Sequence, residues 1–435
     1  MMSSFGQISL AWRNLWRNRR RSAVTILSLA FGFAAVALFA GYTSAVYSAL
    51  SNAAIHAELI GHLTINRSGW QTEGKLHPEK YLLSAEEIQK ITGIVAQRLP
   101  GARLVPKLSA AGLLSNGRSS TIFIATGIAA DDLDLLRGPF RNAPGSLHAD
   151  QPQGVTVGQG LADVLGLKVG DGASVLVSTV HGQANAADVD VADEVNTGNV
   201  ATNDKLMLMP LALVQNLMDA GGRAETLTVL LPGSAGAGHA AEADRMRDMY
   251  TRAAPGEALS SQLRDQLRSD FQQAGMDLEV RTWQEMSAFF RQVKGMYDMI
   301  FALMLAVVLA IVVLSIANAM SMSVVERTRE IGTMRAIGMR RAGITRMFVS
   351  EALMLVVVGT VAGLLLTALT RYGVNAADIR YVPPGNTMSV PIYIGFDLPR
   401  TALAAAALAG LAILAAYWPA RRAARHPIIE SLGHV

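Results

Sequence analysis

Four stretches of the chain contain no Asp, Glu, Lys or Arg: residues 22–57, 299–325, 352–370 and 401–420. A hydrocarbon core about 30 Å thick needs about 20 apolar residues at about 1.5 Å each. Helices buried in soluble domains rarely run past about 14 apolar residues without a charge. The four runs therefore predict four membrane-spanning helices, and a wholly soluble enzyme is excluded. The first run also outlasts the roughly 7–15-residue apolar region of a cleaved signal peptide, so it is expected to stay as an anchor.

Arginines flank the runs on alternate sides. Arg13, Arg17, Arg19, Arg20 and Arg21 precede the first; Arg327, Arg329, Arg335, Arg340, Arg341 and Arg346 separate the second and third; Arg421, Arg422 and Arg425 follow the fourth. By the positive-inside rule these three segments face the cytoplasm, with both termini inside. Residues 51–298 hold 21 Lys+Arg against 28 Asp+Glu, so the chain's net charge of +4 arises from the span ends. That pattern offers no basic groove for nucleic acid. In the first 18 residues, Phe5, Ile8, Trp12, Leu15 and Trp16 recur at helical spacing, which predicts an amphipathic interfacial helix over 1–21.

The fold class that follows is an α-helical membrane protein with four transmembrane helices plus a large α+β extracytoplasmic domain between the first and second. The first span (22–50) and the second (286–325) are both expected to extend beyond the membrane as stalks. The domain at 51–285 alternates strand and helix signals. Ser84 and Glu87 form a capping-box pattern ahead of a helix, and Ser-Asn-Gly-Arg at 115–118 reads as a hairpin turn. A porter-like subdomain is expected from 55–125 and 239–285, with a mainly β insertion at 126–235. The remaining segments are a coupling helix at 326–347, a third span at 348–370, an outward loop at 371–400, a fourth span at 401–420 and a tail at 421–435.

Catalytic patterns are missing from these residues. No GxxxxGK[ST] and no GxSxG occurs, the eight histidines form no HExxH pair, and there is no cysteine. The spans carry no ionisable residue, only Asn318 as a strongly polar group. An ion-coupled carrier places charge there, so energy is expected from another subunit.

The loop between the second and third runs reads Glu326-Arg-Thr-Arg-Glu-Ile-Gly-Thr-Met-Arg-Ala-Ile-Gly-Met-Arg-Arg341. Ile331, Met334, Ile337 and Met339 give it an apolar stripe beside charged residues, which suits docking into a groove of another protein. Its pattern V-x-E-R-T-R-E-I-G-T-M-R-A-I-G-M-R-R, leading into Phe348-Val-Ser-Glu-Ala, resembles the permeases of the MacB/FtsX/LolC-LolE superfamily of ABC transporters. Ala11-Trp-Arg-Asn-Leu-Trp-Arg-Asn, Val157-Gly-Gln-Gly-Leu-Ala-Asp and Pro419-Ala-Arg-Arg-Ala-Ala-Arg-His-Pro427 are similar to further stretches of that superfamily.

The resemblance implies an inner-membrane permease that binds no cofactor itself. It implies a separate ABC ATPase in two copies, using ATP and Mg, a second permease copy or paralogue, and either a periplasmic adaptor or a carrier. It also implies mechanotransmission: ATPase closure shifts the spans and moves the outer domain, which extrudes or releases lipoproteins, lipids or hydrophobic compounds. The ATPase-coupling residues are then Glu326, Arg327, Arg329, Glu330, Met334, Arg335 and Gly338. An FtsX-like signalling scaffold that activates an extracytoplasmic hydrolase shares every one of these motifs.

Overall fold

The structure, a computed structural model, describes residues 19–74, 76–138, 146–232, 242–252, 257–383, 385–425 and 427. The amphipathic helix expected before residue 19, most of the glycine-rich linker near 233–238 and the end of the tail lie outside them. The chain packs as two units. One comprises Met1–Val46, Lys294–Ile379 and Ile392–Val435; the other comprises Tyr47–Val293 and Arg380–Pro391.

The first unit is helical. Its long helices are Arg19–Asn52, Ala288–Glu326, Arg341–Ala376 and Leu398–Arg425, and all four are long and apolar enough to cross a membrane. The first two also supply residues to the second unit. At about 1.5 Å per residue they are about 51 and 58 Å long, more than a hydrocarbon core requires. The first helix outruns the expected 22–50 at both ends, whereas the second, expected over 286–325, matches it to within two residues at either end. The third runs from Arg341 to Ala376, beyond the expected 348–370, and the fourth runs from Leu398 to Arg425, beyond the expected 401–420.

The helices share one core. Leu29, Phe33 and Ala40 of the first meet Val312 and Ile316 of the second, Phe348, Ala352 and Leu355 of the third, and Ala404, Leu408, Ala412 and Ala416 of the fourth. Small residues set the spacing. A Cβ on Gly363 would stand 2.9 Å from the Ala30 carbonyl oxygen and 2.9 Å from Phe33. At one end of the bundle, Arg400 joins three helices. It bonds Asp298 at 2.8 Å and Thr43 Oγ1 at 3.0 Å, and its guanidinium lies 5.5 Å from the Phe301 ring centre.

The second unit is α+β, and among its described residues nine strands join in one sheet: β1 Leu63–Arg67, β2 Arg103–Ser115, β3 Ser120–Ile128, β4 Gly154–Gly158, β5 Gly172–Ser178, β6 Ala184–Val195, β7 Leu206–Pro210, β8 Thr226–Leu230 and β9 Leu278–Thr282. Its main helices are α1 Ala85–Arg98, α2 Ala130–Arg137, α3 Gln159–Leu165, α4 Leu211–Leu217, α5 Glu242–Thr251 and α6 Glu257–Gln273.

β2, β8, β1 and β9 lie side by side, each antiparallel to its neighbour. α1 connects β1 to β2 and α6 follows β8 on the way to β9, giving two interleaved split βαβ units. Ile91 and Val95 of α1 and Leu267 and Phe271 of α6 pack with Leu63, Ile65, Leu227, Val229 and Val280 of the strands. The Ser84–Glu87 capping box forms as its spacing predicts: Glu87 N donates to Ser84 Oγ, and Ser84 N donates to the Glu87 carboxylate.

The insertion is a closed barrel. Its order is β3-β7-β4-β6-β5-β2, and β2 pairs back onto β3 to complete the ring. Closure removes exposed sheet edges. β5 alternates exposed and buried along its whole length, and Val175 and Val177 join Leu114, Phe123, Val155, Val189 and Met207 inside.

The boundary expected at 125/126 does not fall there. Residues 103–107 of β2 pair with β8, while residues 108–115 pair with β3. One long strand thus serves both subdomains, a division that hydrophobic alternation along a strand cannot reveal.

Candidate functional site: the linking helix

Between the second and third long helices lies a nine-residue helix, Thr328–Ala336, shorter than the expected 326–347. It starts at a kink on Arg327, where φ is −111°. It ends in a Schellman turn: Met339 N donates to the Met334 carbonyl and Gly338 N to the Arg335 carbonyl, with Gly338 at φ +98°. Met334 and Met339, the pair such a turn brings together, both pack on the bundle core.

The seven residues expected to couple to an ATPase divide into two groups. Arg327 points inward. Its Nη1 donates to Glu351 Oε2 at 3.1 Å, its Nε lies 3.5 Å from Glu330 Oε2, and its side chain is 8% exposed. Met334 is half-buried against the core, and Gly338 supplies the turn. These three shape and fasten the helix. Glu326, Arg329 and Glu330 are exposed, and Arg335 is half-buried.

Exposure follows helical spacing. Glu326, Arg329, Glu330, Thr333, Ala336 and Ile337 form one exposed face, whereas Arg327, Ile331 and Gly332 are buried opposite. The apolar stripe read from the sequence is therefore split. Ile331 is 3% exposed and belongs to the bundle, while Ile337 is 82% exposed and stands beside the charges. Glu351 was overlooked as a site residue. Its signal was a carboxylate at the mouth of an otherwise uncharged run, where an ionisable group calls for a partner.

The arrangement is a short helix bolted to the bundle on one side, with a mixed charged and apolar surface on the other. Residues 22–269 match the family described as MacB-like periplasmic core domain, and residues 302–428 match FtsX-like permease C-terminal. The chain belongs to the MacB/FtsX-like family of ABC transporter permeases.

Among MacB-like relatives, the pyoverdine export ATP-binding/permease protein of Pseudomonas entomophila is 26% identical over 98% of this chain. The chain spans only 59% of that relative's length. A macrolide export ATP-binding/permease protein from Rhodopirellula baltica is 34% identical over 34% of this chain and 20% of its own length. The periplasmic region of MacB from Actinobacillus actinomycetemcomitans aligns with 52% of this chain and 89% of that one, at 14% identity. Its TM-score of 0.32 adds no weight. Family membership, together with the four helices among the described residues that are long and apolar enough to cross a membrane, indicates an inner-membrane protein with a MacB-like periplasmic domain.

Proposed function

We propose that the chain is a permease subunit working by mechanotransmission. A separate ABC ATPase, two copies per pair of permeases, docks on the exposed face of Thr328–Ala336. ATP-driven closure displaces the linking helix, and the long helices carry that displacement to the α+β domain between the first and second spans. The domain faces the periplasm, because the arginine-rich segments at both termini and around the linking helix favour the cytoplasmic side. Its movement extrudes or releases lipoproteins, lipids or other hydrophobic compounds.

The observation that carries this reading is the two-sided linking helix. A buried ion pair ties it to the third helix, so a push on its outer face moves the bundle rather than the helix alone. The stripe of Arg329, Glu330 and Ile337 suits a groove with an apolar floor and charged rims.

The test is affinity purification of the chain carrying Arg329→Glu and Ile337→Asp. The ATPase is expected to be lost from the complex, with the thermal midpoint of the permease unchanged. ATPase retained at parental yield overturns the docking assignment. What co-purifies with the parent chain then separates transport from signalling: an acylated protein or lipid supports release, whereas a wall hydrolase supports the scaffold.

A further inference from the structure

The segment between the third and fourth long helices divides between the two units. Residues Arg380–Pro391 group with the α+β unit, although Ile379 and Ile392 on either side group with the helical unit. Two short strands, β10 Arg380–Tyr381 and β11 Val390–Pro391, pair antiparallel and make it a hairpin.

The tip of the hairpin is bonded to the loop that follows β6 of the barrel. Thr387 N donates to the Gly198 carbonyl at 2.9 Å, and Val200 N donates to the Gly385 carbonyl at 3.1 Å. Thr387 Oγ1 donates to Asn196 Oδ1 at 2.6 Å. That loop is itself braced. Asn196 Oδ1 also accepts from Gly198 N and from the Nδ2 of buried Asn203, and Asn203 Oδ1 accepts from Thr197 N.

The neck of the hairpin is pinned as firmly on the helical side. Ile392 N donates to the Ile379 carbonyl at 2.7 Å. The Asn375 side chain accepts from Ile394 N at 2.9 Å and donates to the Ile394 carbonyl at 3.0 Å, and Arg371 Nε donates to the same carbonyl at 3.1 Å. Gly395 N donates to the Gly41 carbonyl at 3.0 Å.

We infer that residues 380–391 are a strap, a third chain connection beside the first and second long helices, through which displacement of the third and fourth helices reaches the barrel. The arm from Thr387 to Ile392 is five residues long, so even fully extended it spans roughly 17 Å. A link that short, bonded at both ends, has little slack. Its purpose rests on the mechanotransmission reading above, but its existence as a bonded tether does not.

The test uses the full chain in lipid nanodiscs. Because the native sequence has no cysteine, spin labels can be placed cleanly at Tyr372→Cys on the third helix and Ile122→Cys on the barrel, both exposed. Thr387→Val removes one anchor. A Gly-Ser replacement of residues 383–389, equal in length, removes the tip without shortening the chain.

Hydrogen exchange at the Thr387 and Val200 amides is expected to be slow in the parent and about tenfold faster in Thr387→Val. The inter-label distance distribution is expected to broaden in both variants. Unprotected amides in the parent, or distributions of unchanged width in both variants, overturn the strap. Neither readout involves the ATPase, so failure of the docking assignment leaves this result standing, and the reverse holds too.

Discussion

Consider removing the carboxylate that holds Arg327. The Arg327–Glu351 pair is 3.1 Å apart, with side chains 8% and 9% exposed. At an effective dielectric of about 20, the gross attraction at that separation is about 5 kcal/mol. Desolvation of two buried charges offsets most of it, so the intact pair contributes little net stability. Losing one partner is different, because the other charge stays buried and unmatched at a cost of about 3–5 kcal/mol.

Glu351→Gln and Arg327→Met should therefore each lower the thermal midpoint of the detergent-solubilised chain by about 10 °C, taking about 2–4 °C per kcal/mol. The double variant, carrying neither charge, should return to within about 1 kcal/mol of the parent. The assay is tryptophan-fluorescence melting of all four proteins at one detergent concentration. Single variants that cost under about 1 kcal/mol, or a double variant as damaged as the sum of the singles, would refute the claim that this pair bolts the linking helix to the third helix.

Further outcomes follow from the α+β unit and the bundle. The His62 imidazole is pushed down to about 3 by burial and then by neighbouring His56. The unfolded chain, titrating near 6.5, takes up a proton that the folded domain refuses. Stability is then full above about pH 6.5 and falls on acidification, by about 2 kcal/mol at pH 5. Melting the parent and His62→Gln at pH 7.5 and pH 5 checks this: the acid-induced loss should shrink by that amount in the variant, and an equal loss in both contradicts it. Gly363→Val drives side-chain atoms into the Ala30 carbonyl and Phe33, and should cost about 1–3 kcal/mol in the same melting assay. Ser84→Ala deletes the hydroxyl of the α1 capping box and should cost about 1 kcal/mol, measured likewise.

Much of the architecture was legible in the residues because the signals are local. Charge-free runs predict spans through length alone, and the four long helices stand where those runs do. The Ser84 capping box and the turn at 115–118 each depend on neighbours a few positions away, and each formed where its pattern lay. The family resemblance likewise rested on contiguous motifs, and residues 22–269 and 302–428 match the corresponding families.

Local residue order thus settles the count of long apolar runs, the alternation of strands and helices, and the family. The remaining features come from long-range packing. Arg327 and Arg329 look alike in a string of letters, yet one is buried against a carboxylate 24 positions away and the other is exposed. β2 reads as one strand, and only its partners reveal that its halves belong to different sheets. The hairpin at 380–391 belongs with residues near 198, almost 190 positions earlier. Such choices are made by contacts between distant segments, where burial and hydrogen-bond satisfaction depend on what the fold brings alongside, and residue order does not encode that locally.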